Sequence, residues 1–257
     1  MLTTIFAPRD SALYPPCGMF TVGHFITLAI TLLAVAVGWY LCRRFTTQNL
    51  RFATKCAAIA ATVLECIKIV YNFAYGYTYL DAWLPLAFCS LFIYATWMAG
   101  FGKGFVEKLG KGFLVGGCPT AGLLFLIFPS TSLQMHPIYH YLCIYSMLYH
   151  GAMLWLGGLY LVKEREIKTW KPFLYFAVFF AAFAIPSIIL NGIANCNMMF
   201  FREPFNIPLE FIKSIYQFSS VLYTILIFIA YLACYLVSLG VYIFIAWLKE
   251  KSLKKGE

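Results

Sequence analysis

Apolar residues run through this chain in blocks, each closed by a short polar or basic stretch. Most of the blocks reach the roughly 20 residues that a helix needs to cross the hydrocarbon core of a bilayer. The pattern predicts seven transmembrane helices, over residues 20–42, 55–76, 82–101, 112–129, 138–162, 172–194 and 214–247. The connecting segments are short, so the seven read as one all-α bundle, a single transmembrane domain over 1–257. No inverted repeat of the kind found in many transporters is visible.

Polar positions inside the blocks recur at helical spacing. In span two, Ala61, Glu65, Lys68 and Asn72 follow one another at steps of four, three and four, which places them on one face. Span one offers His24, Thr27, Thr31 and Gly38, and span three Asp81, Pro85, Cys89 and Thr96. Span five offers Ser146, His150 and Gly157, span six Ser187, Asn191 and Asn195, and span seven Gln217, Ser220, Thr224 and Tyr231. Membrane helices hide polar side chains from lipid, so these stripes mark the faces turned into the bundle.

Composition supports the membrane reading. Only 11% of residues are charged and 62% are hydrophobic, whereas a soluble domain carries roughly a quarter charged residues. A net charge of +9 would suit nucleic acid, but its placement argues for a membrane partner instead. Fifteen basic residues fall in the loops 43–55, 102–111 and 163–171 and in the tail after 247, against Arg9, Arg202 and Lys213 on the other side and Lys68 inside a span. Positive residues stay cytoplasmic, so the N-terminus is expected outside, the C-terminus inside, and the basic side against anionic lipid headgroups of the cell membrane. Residues 1–19, with Pro8, Asp10, Pro15 and Pro16, lack the apolar core of a cleavable signal.

With that orientation, Cys89 lies seven residues below the outer edge of its span, roughly 10 Å at the helical rise. His150 lies twelve residues deep, and Glu65 near the middle with Lys68 one turn further out. Asn191, Asn195 and His24 fall near outer ends. The polar groups are therefore expected to converge on a cavity that opens outward. Glu65 and Lys68 at i and i+3 can pair, either as a structural ion pair or to position a substrate headgroup. His150 in neutral form can act as a general base, or can be an interior histidine bonded to a carbonyl. Cys89, in LPLAFCSLF, is a packing residue or a nucleophile.

Other chemistries find less support. His136 and His140 with His24 and Asp81 could make an outward zinc site, but Pro137 interrupts the pair and no H-E-x-x-H is present, so no metal is expected. The Gly-Lys pairs at 102–103 and 110–111 lack the phosphate-loop spacing, and close helix approach is the better reading of these glycines. Span seven has no lysine for a retinal Schiff base, and no cofactor is implied. Seven of nine cysteines fall within or at the ends of spans, while Cys17 and Cys196 share the outer side and could pair.

An ordered set of segments carries a resemblance: VGHFITL, LECIKIV, LPLAFCSL, AGLLFLIFP, LYHGAMLWLGGLYL, and NGIANCN followed by REPF. Their order and spacing resemble the YwaF-like bacterial integral membrane proteins, which are related to the eukaryotic transmembrane protein 164 acyltransferases. The likeness covers about residues 20 to 245. It implies a seven-helix bundle and, from the eukaryotic branch, acyl transfer between phospholipids and lysophospholipids by a catalytic cysteine and histidine. The histidine matches His150. The cysteine of that branch directly follows the span-three proline, whereas here Leu86 follows Pro85 and Cys89 stands one turn further on. Bacterial members also tend to show a histidine two residues after the proline, where this chain has Ala87.

The expectation is thus a lipid-modifying enzyme with His150 and Cys89 in its centre. Asn191 and Asn195 would donate to an oxyanion, and Glu65, Lys68 and His24 would line the substrate cavity. Two readings of other classes stay open: a non-catalytic transporter or ligand-binding protein using the same cavity, and an outward-facing zinc hydrolase.

Overall fold

The structure, a computed structural model, describes residues 5–8, 15–163, 169–204 and 210–253. Of the charged positions counted above, Arg9, Asp10, Arg165, Lys168, Lys254 and Lys255 lie outside the described residues. The described residues are helical, with no strand among them. Helices α1 (Val22–Cys42), α2 (Thr47–Ala74), α3 (Leu80–Trp83), α4 (Leu91–Phe101) and α5 (Gly104–Gly116) come first. They are followed by α6 (Cys118–Ile127), α7 (Tyr141–Lys163), α8 (Trp170–Ile193), α9 (Glu210–Phe218) and α10 (Ser220–Leu253). Local chemistry sets two of the starts: the Thr21 hydroxyl accepts from His24 N at 3.3 Å, and that of Thr46 from Asn49 N at 3.2 Å.

Six helical stretches are long and apolar enough to cross a membrane: Val22–Cys42, Thr47–Ala74, Gly104–Ile127, Tyr141–Lys163, Trp170–Ile193 and Ser220–Leu248. The span expected at 82–101 is not a continuous helix. Pro85 has no N–H to give and drives the residue before it out of the helical region, so Leu84 is extended (φ −79°, ψ 116°). Leu86 N instead donates two residues back to Leu84 O at 2.8 Å, a γ-turn around the proline. The helical ladder resumes only at α4, whose 11 residues reach about 16 Å, roughly half the hydrocarbon thickness.

The loop expected at 102–111 is also shorter than the basic residues suggested. Only Gly102 and Lys103 separate α4 from α5, and the fourth span begins at Gly104 rather than 112. Charges on the first turns of α5 are accommodated because Glu107 meets Lys111 at 3.0 Å and Arg51 at 3.8 Å. Arg51 also donates to Gly100 O (3.0 Å) and Gly102 O (2.7 Å), capping the C-terminus of α4. Lys163 Nζ donates to Phe45 O at 2.5 Å. These contacts gather basic residues of α2, α5 and α7 at one end of the bundle. At the opposite end the chain before α1 is tied down, with Cys17 N and Gly18 N donating to His136 O and Leu133 O.

Helix α7 is the hub. Most of its apolar window, 78%, is buried, against 11% for α1 and 28% for α2 and α8. The lipid-facing sides of α1, α8 and α10 carry exposed Leu33, Ile189 and Val221, as membrane helices require. Close approach is made possible by missing side chains. A Cβ on Gly122 of α6 would stand 2.8 Å from His150 O of α7, and one on Gly112 of α5 would stand 2.7 Å from Phe176 N of α8. Both neighbours are backbone and cannot step aside. Gly112→Val is therefore expected to cost about 1–3 kcal/mol, read as a lower melting temperature of the purified protein in detergent. Gly240→Ala in α10, where nothing lies within 4 Å of the added methyl, is expected to cost nothing.

Candidate functional site

The inward face of α2 carries Glu65 and Lys68 into an apolar surrounding, and each charge finds its answer there. Glu65 is 3% exposed, and its Oε1 meets Lys68 Nζ at 2.5 Å as an ion pair. Its other oxygen accepts from the Tyr145 hydroxyl at 2.5 Å. Two lone charges at this depth would be costly; paired and hydrogen-bonded they are tolerated. Tyr145 belongs to a ladder on α7 at steps of four. Tyr141 OH donates to Leu64 O of α2 at 2.7 Å, and Tyr149 OH to Cys89 O at 3.2 Å. The interrupted segment 84–90 is thus held against α7 through its own carbonyl.

His150 is buried next to this ladder. Its ring stacks on Phe125 of α6 with centroids 3.6 Å apart and planes 7° from parallel, and it meets the Tyr149 ring edge-on at 5.6 Å. Nδ1 lies 2.7 Å from Ser146 O. A carbonyl can only accept, so Nδ1 carries a proton, and in the neutral ring Nε2 holds the lone pair. Nε2 is buried and has no hydrogen-bond partner among the described residues. The site therefore holds an oriented imidazole with an unused basic nitrogen. No hydrogen bond joins the Cys89 thiol to His150 among the described residues.

The other polar positions are engaged away from His150. Asn191 uses its carboxamide to brace the turn after α8: Nδ2 donates to Met198 O (3.0 Å), and Oδ1 accepts from Met198 N (2.7 Å) and Cys196 Sγ (3.4 Å). Asn195 occupies the left-handed region at φ 54° in that turn. Both line a groove of about 290 Å³ between α8 and α10, together with Arg202, Ser220 and Thr224. His24 is fully buried; its Nδ1 accepts from Phe20 N (3.0 Å) and its Nε2 donates to Leu126 O (2.9 Å), which ties the start of α1 to the end of α6.

The zinc reading has no ligand set. His140 Nε2 donates to Ala7 O at 3.0 Å while its Nδ1 accepts from Leu142 N, and Asp81 accepts from Asn197 N at 3.1 Å. His136 and His140 stack face to face at 4.0 Å, and no group of three metal-binding side chains forms among the described residues. Cys17 and Cys196 are both free thiols, packed in different apolar clusters. Burial, and then the Asp81 carboxylate, push the Cys196 thiol above its ordinary value, with Arg202 opposing.

Tyr141, Tyr145, Tyr149 and Phe125 complete the interior site, and none was singled out in the sequence. The tyrosine spacing of four along α7 was the available signal.

Taken together, an apolar multi-helix bundle enclosing a charged pair, a tyrosine ladder and an oriented histidine defines a multi-pass membrane protein with a buried ionisable centre. Comparison with family models matches residues 19–249 to the TMEM164 family, and the chain belongs to that family. Comparison with curated proteins and with solved structures gave no match.

The ion pair is testable. Lys68→Met strands Glu65 and is expected to cost roughly 3–5 kcal/mol, while the double change with Glu65→Gln is expected to recover most of that, measured by thermal unfolding in detergent. At Cys196 the thiolate is the reactive form, and a neighbouring carboxylate disfavours it. Asp81→Asn is therefore expected to speed maleimide labelling of Cys196 at pH 8, followed by peptide mass spectrometry.

Proposed function

We propose that this protein is a lipid-modifying enzyme of the cell membrane. It moves an acyl group from a phospholipid to a lysophospholipid, with the basic end of the bundle and the C-terminus in the cytoplasm. The observation that carries this reading is the unpartnered Nε2 of His150, buried on a ring fixed by Ser146 O and Phe125. A neutral imidazole held this way is poised to take a proton, which is what activation of a hydroxyl nucleophile requires. The resemblance to the acyltransferase branch, which places its histidine at this position, supports the same role.

In the proposed step, Nε2 accepts the proton of the lysolipid hydroxyl as its oxygen attacks the ester carbonyl of the donor lipid. Collapse of the tetrahedral intermediate breaks the donor ester bond, and the departing alkoxide takes the proton back from the imidazolium. Direct attack is favoured over a cysteine intermediate because Leu86 follows Pro85 and because no hydrogen bond joins the Cys89 thiol to His150 among the described residues. Glu65 and Lys68, fixed by Tyr145, set the field around the reacting ester.

A second reading has its own support: a transporter or ligand-binding protein. A helix interrupted beside a charged pair inside the bundle is a common design of transport sites.

The test is lipid mass spectrometry on purified protein given labelled lysophospholipid and donor lipids. Wild type is expected to place label in diacyl lipid, and His150→Ala to lose at least about a hundredfold in rate at unchanged melting temperature. Cys89→Ala is expected to retain transfer without forming a hydroxylamine-sensitive acyl-protein. A thioester on wild type that Cys89→Ala abolishes would move the nucleophile to Cys89. No transfer by any of the proteins, with lysolipid bound equally by wild type and His150→Ala, would move the assignment to binding or transport.

A further inference from the structure

Cys17 does not lie with Cys196, but it does lie with another thiol. The carbonyl of His136 accepts from Cys17 N at 3.0 Å and from Cys143 Sγ at 3.7 Å. Both contacts end on the same atom, so the Cys17 backbone and the Cys143 sulfur are no further apart than those two distances laid end to end. A disulfide spans about 4–7 Å between Cα atoms, which is the same scale. The two residues also share one apolar cluster with Val35, Leu126, Leu133 and Met147, and both thiols are free.

The Cys17 sulfur is seated at the start of α1. It touches Thr21 Oγ1 at 3.4 Å, and a Cβ on Gly23 would stand 2.8 Å from it. A contact between a thiol and a hydroxyl is weak, so turning the Cys17 side chain from Thr21 toward Cys143 gives up little. Exposure divides the pair into two roles. Cys17 is half-buried, whereas Cys143, the third residue of α7, is 1% exposed. Cys17 is the thiol an external reagent reaches first, and Cys143 is placed to resolve what forms there.

We propose that Cys17 and Cys143 are a redox pair that closes to a disulfide and staples the start of α1 to α7. The oxidant is a disulfide outside the protein, of the glutathione or dithiol-protein class. The Cys17 thiolate attacks one sulfur of that disulfide, breaks its S–S bond and releases one thiol. The Cys143 thiolate then attacks the Cys17 sulfur of the mixed disulfide and releases the second thiol. Two cysteine thiols are oxidised, the external disulfide is reduced to two thiols, and the two cysteine protons leave on those thiols. The site lies at the end of the bundle opposite the basic residues. With the basic end in the cytoplasm, as proposed above, that end faces the oxidising exterior. The chemistry itself does not depend on orientation or on acyl transfer, and the test is made where neither plays a part.

The full chain, purified in detergent, is incubated at pH 8 with oxidised glutathione or with a reducing phosphine. It is then alkylated with N-ethylmaleimide, denatured, digested and mapped by mass spectrometry. Oxidised wild type is expected to yield a peptide linking Cys17 to Cys143, absent after reduction, and a melting temperature higher by about 5 °C, because the link closes a loop that takes in α1 to α6. Cys17→Ser is expected to lose both the linked peptide and the shift. Cys143→Ala, with no resolving thiol, is expected to keep a stable glutathione adduct on Cys17. Cys196→Ser is expected to behave as wild type. A glutathione adduct that persists on Cys17 of wild type, a link from Cys17 to Cys196, or maleimide on both Cys17 and Cys143 after oxidation would each overturn the proposal.

Discussion

Backbone that leaves the helical ladder at membrane depth must be enclosed by protein, because lipid offers its N–H and C=O groups no partner. Pro85 imposes that condition on the third segment, and much of the bundle answers it. The Cys89 carbonyl is taken by Tyr149 in the N-terminal half of α7, so the break lies well below the helix ends. The side chain of Leu86 packs with Cys196 and Met198, and that of Phe88 lies between Phe113, Phe180 and Tyr231. An interruption costly in lipid is thus packed upon by α5, α7, α8 and α10, with Leu86 and Phe88 buried and Ala87 left exposed.

The same enclosure explains why α7 carries so much of the chemistry. It is the most buried of the spanning helices, and it touches α2, α6 and the interrupted segment at once. Its tyrosines reach outward to the charged pair of α2 and to the backbone of the break. His150, on the adjoining face, meets α6, where Gly122 lets the helices close to backbone contact. In the buried centre Glu65 is held by Lys68 and Tyr145, while Nε2 of His150 has no hydrogen-bond partner among the described residues. The groove at the ends of α8 and α10 is lined by both polar and apolar side chains.

The departures from a simple reading of the chain have one cause. Periodicity shows which face of a helix turns inward, but not which neighbour it meets. The stripe of span two was legible, and Glu65 and Asn72 are buried on it. His24 and Asn191 also sat on polar stripes and are buried as well, yet their hydrogen bonds are spent on Leu126 O and on the turn after α8. Depth along a span likewise placed Asn191 and Asn195 level with the expected cavity, while the packing of α8 against α10 turned them into a separate groove.

By itself the sequence determined the medium, the helical class, the inward stripes and the pairing of Glu65 with Lys68. All of these follow from local spacing and from the cost of polar groups in hydrocarbon. It also contained the break, since a proline after Leu84 disallows continuous helix, although the length of the apolar block concealed it. Only the tertiary structure decided that the tyrosines of α7 complete the charged pair, that His150 keeps a free nitrogen, and that the polar positions divide between a buried centre and a surface groove. Those outcomes depend on which helices lie side by side, and that is set by backbone approach at Gly112 and Gly122 and by hydrogen bonds between distant segments, which no local pattern records.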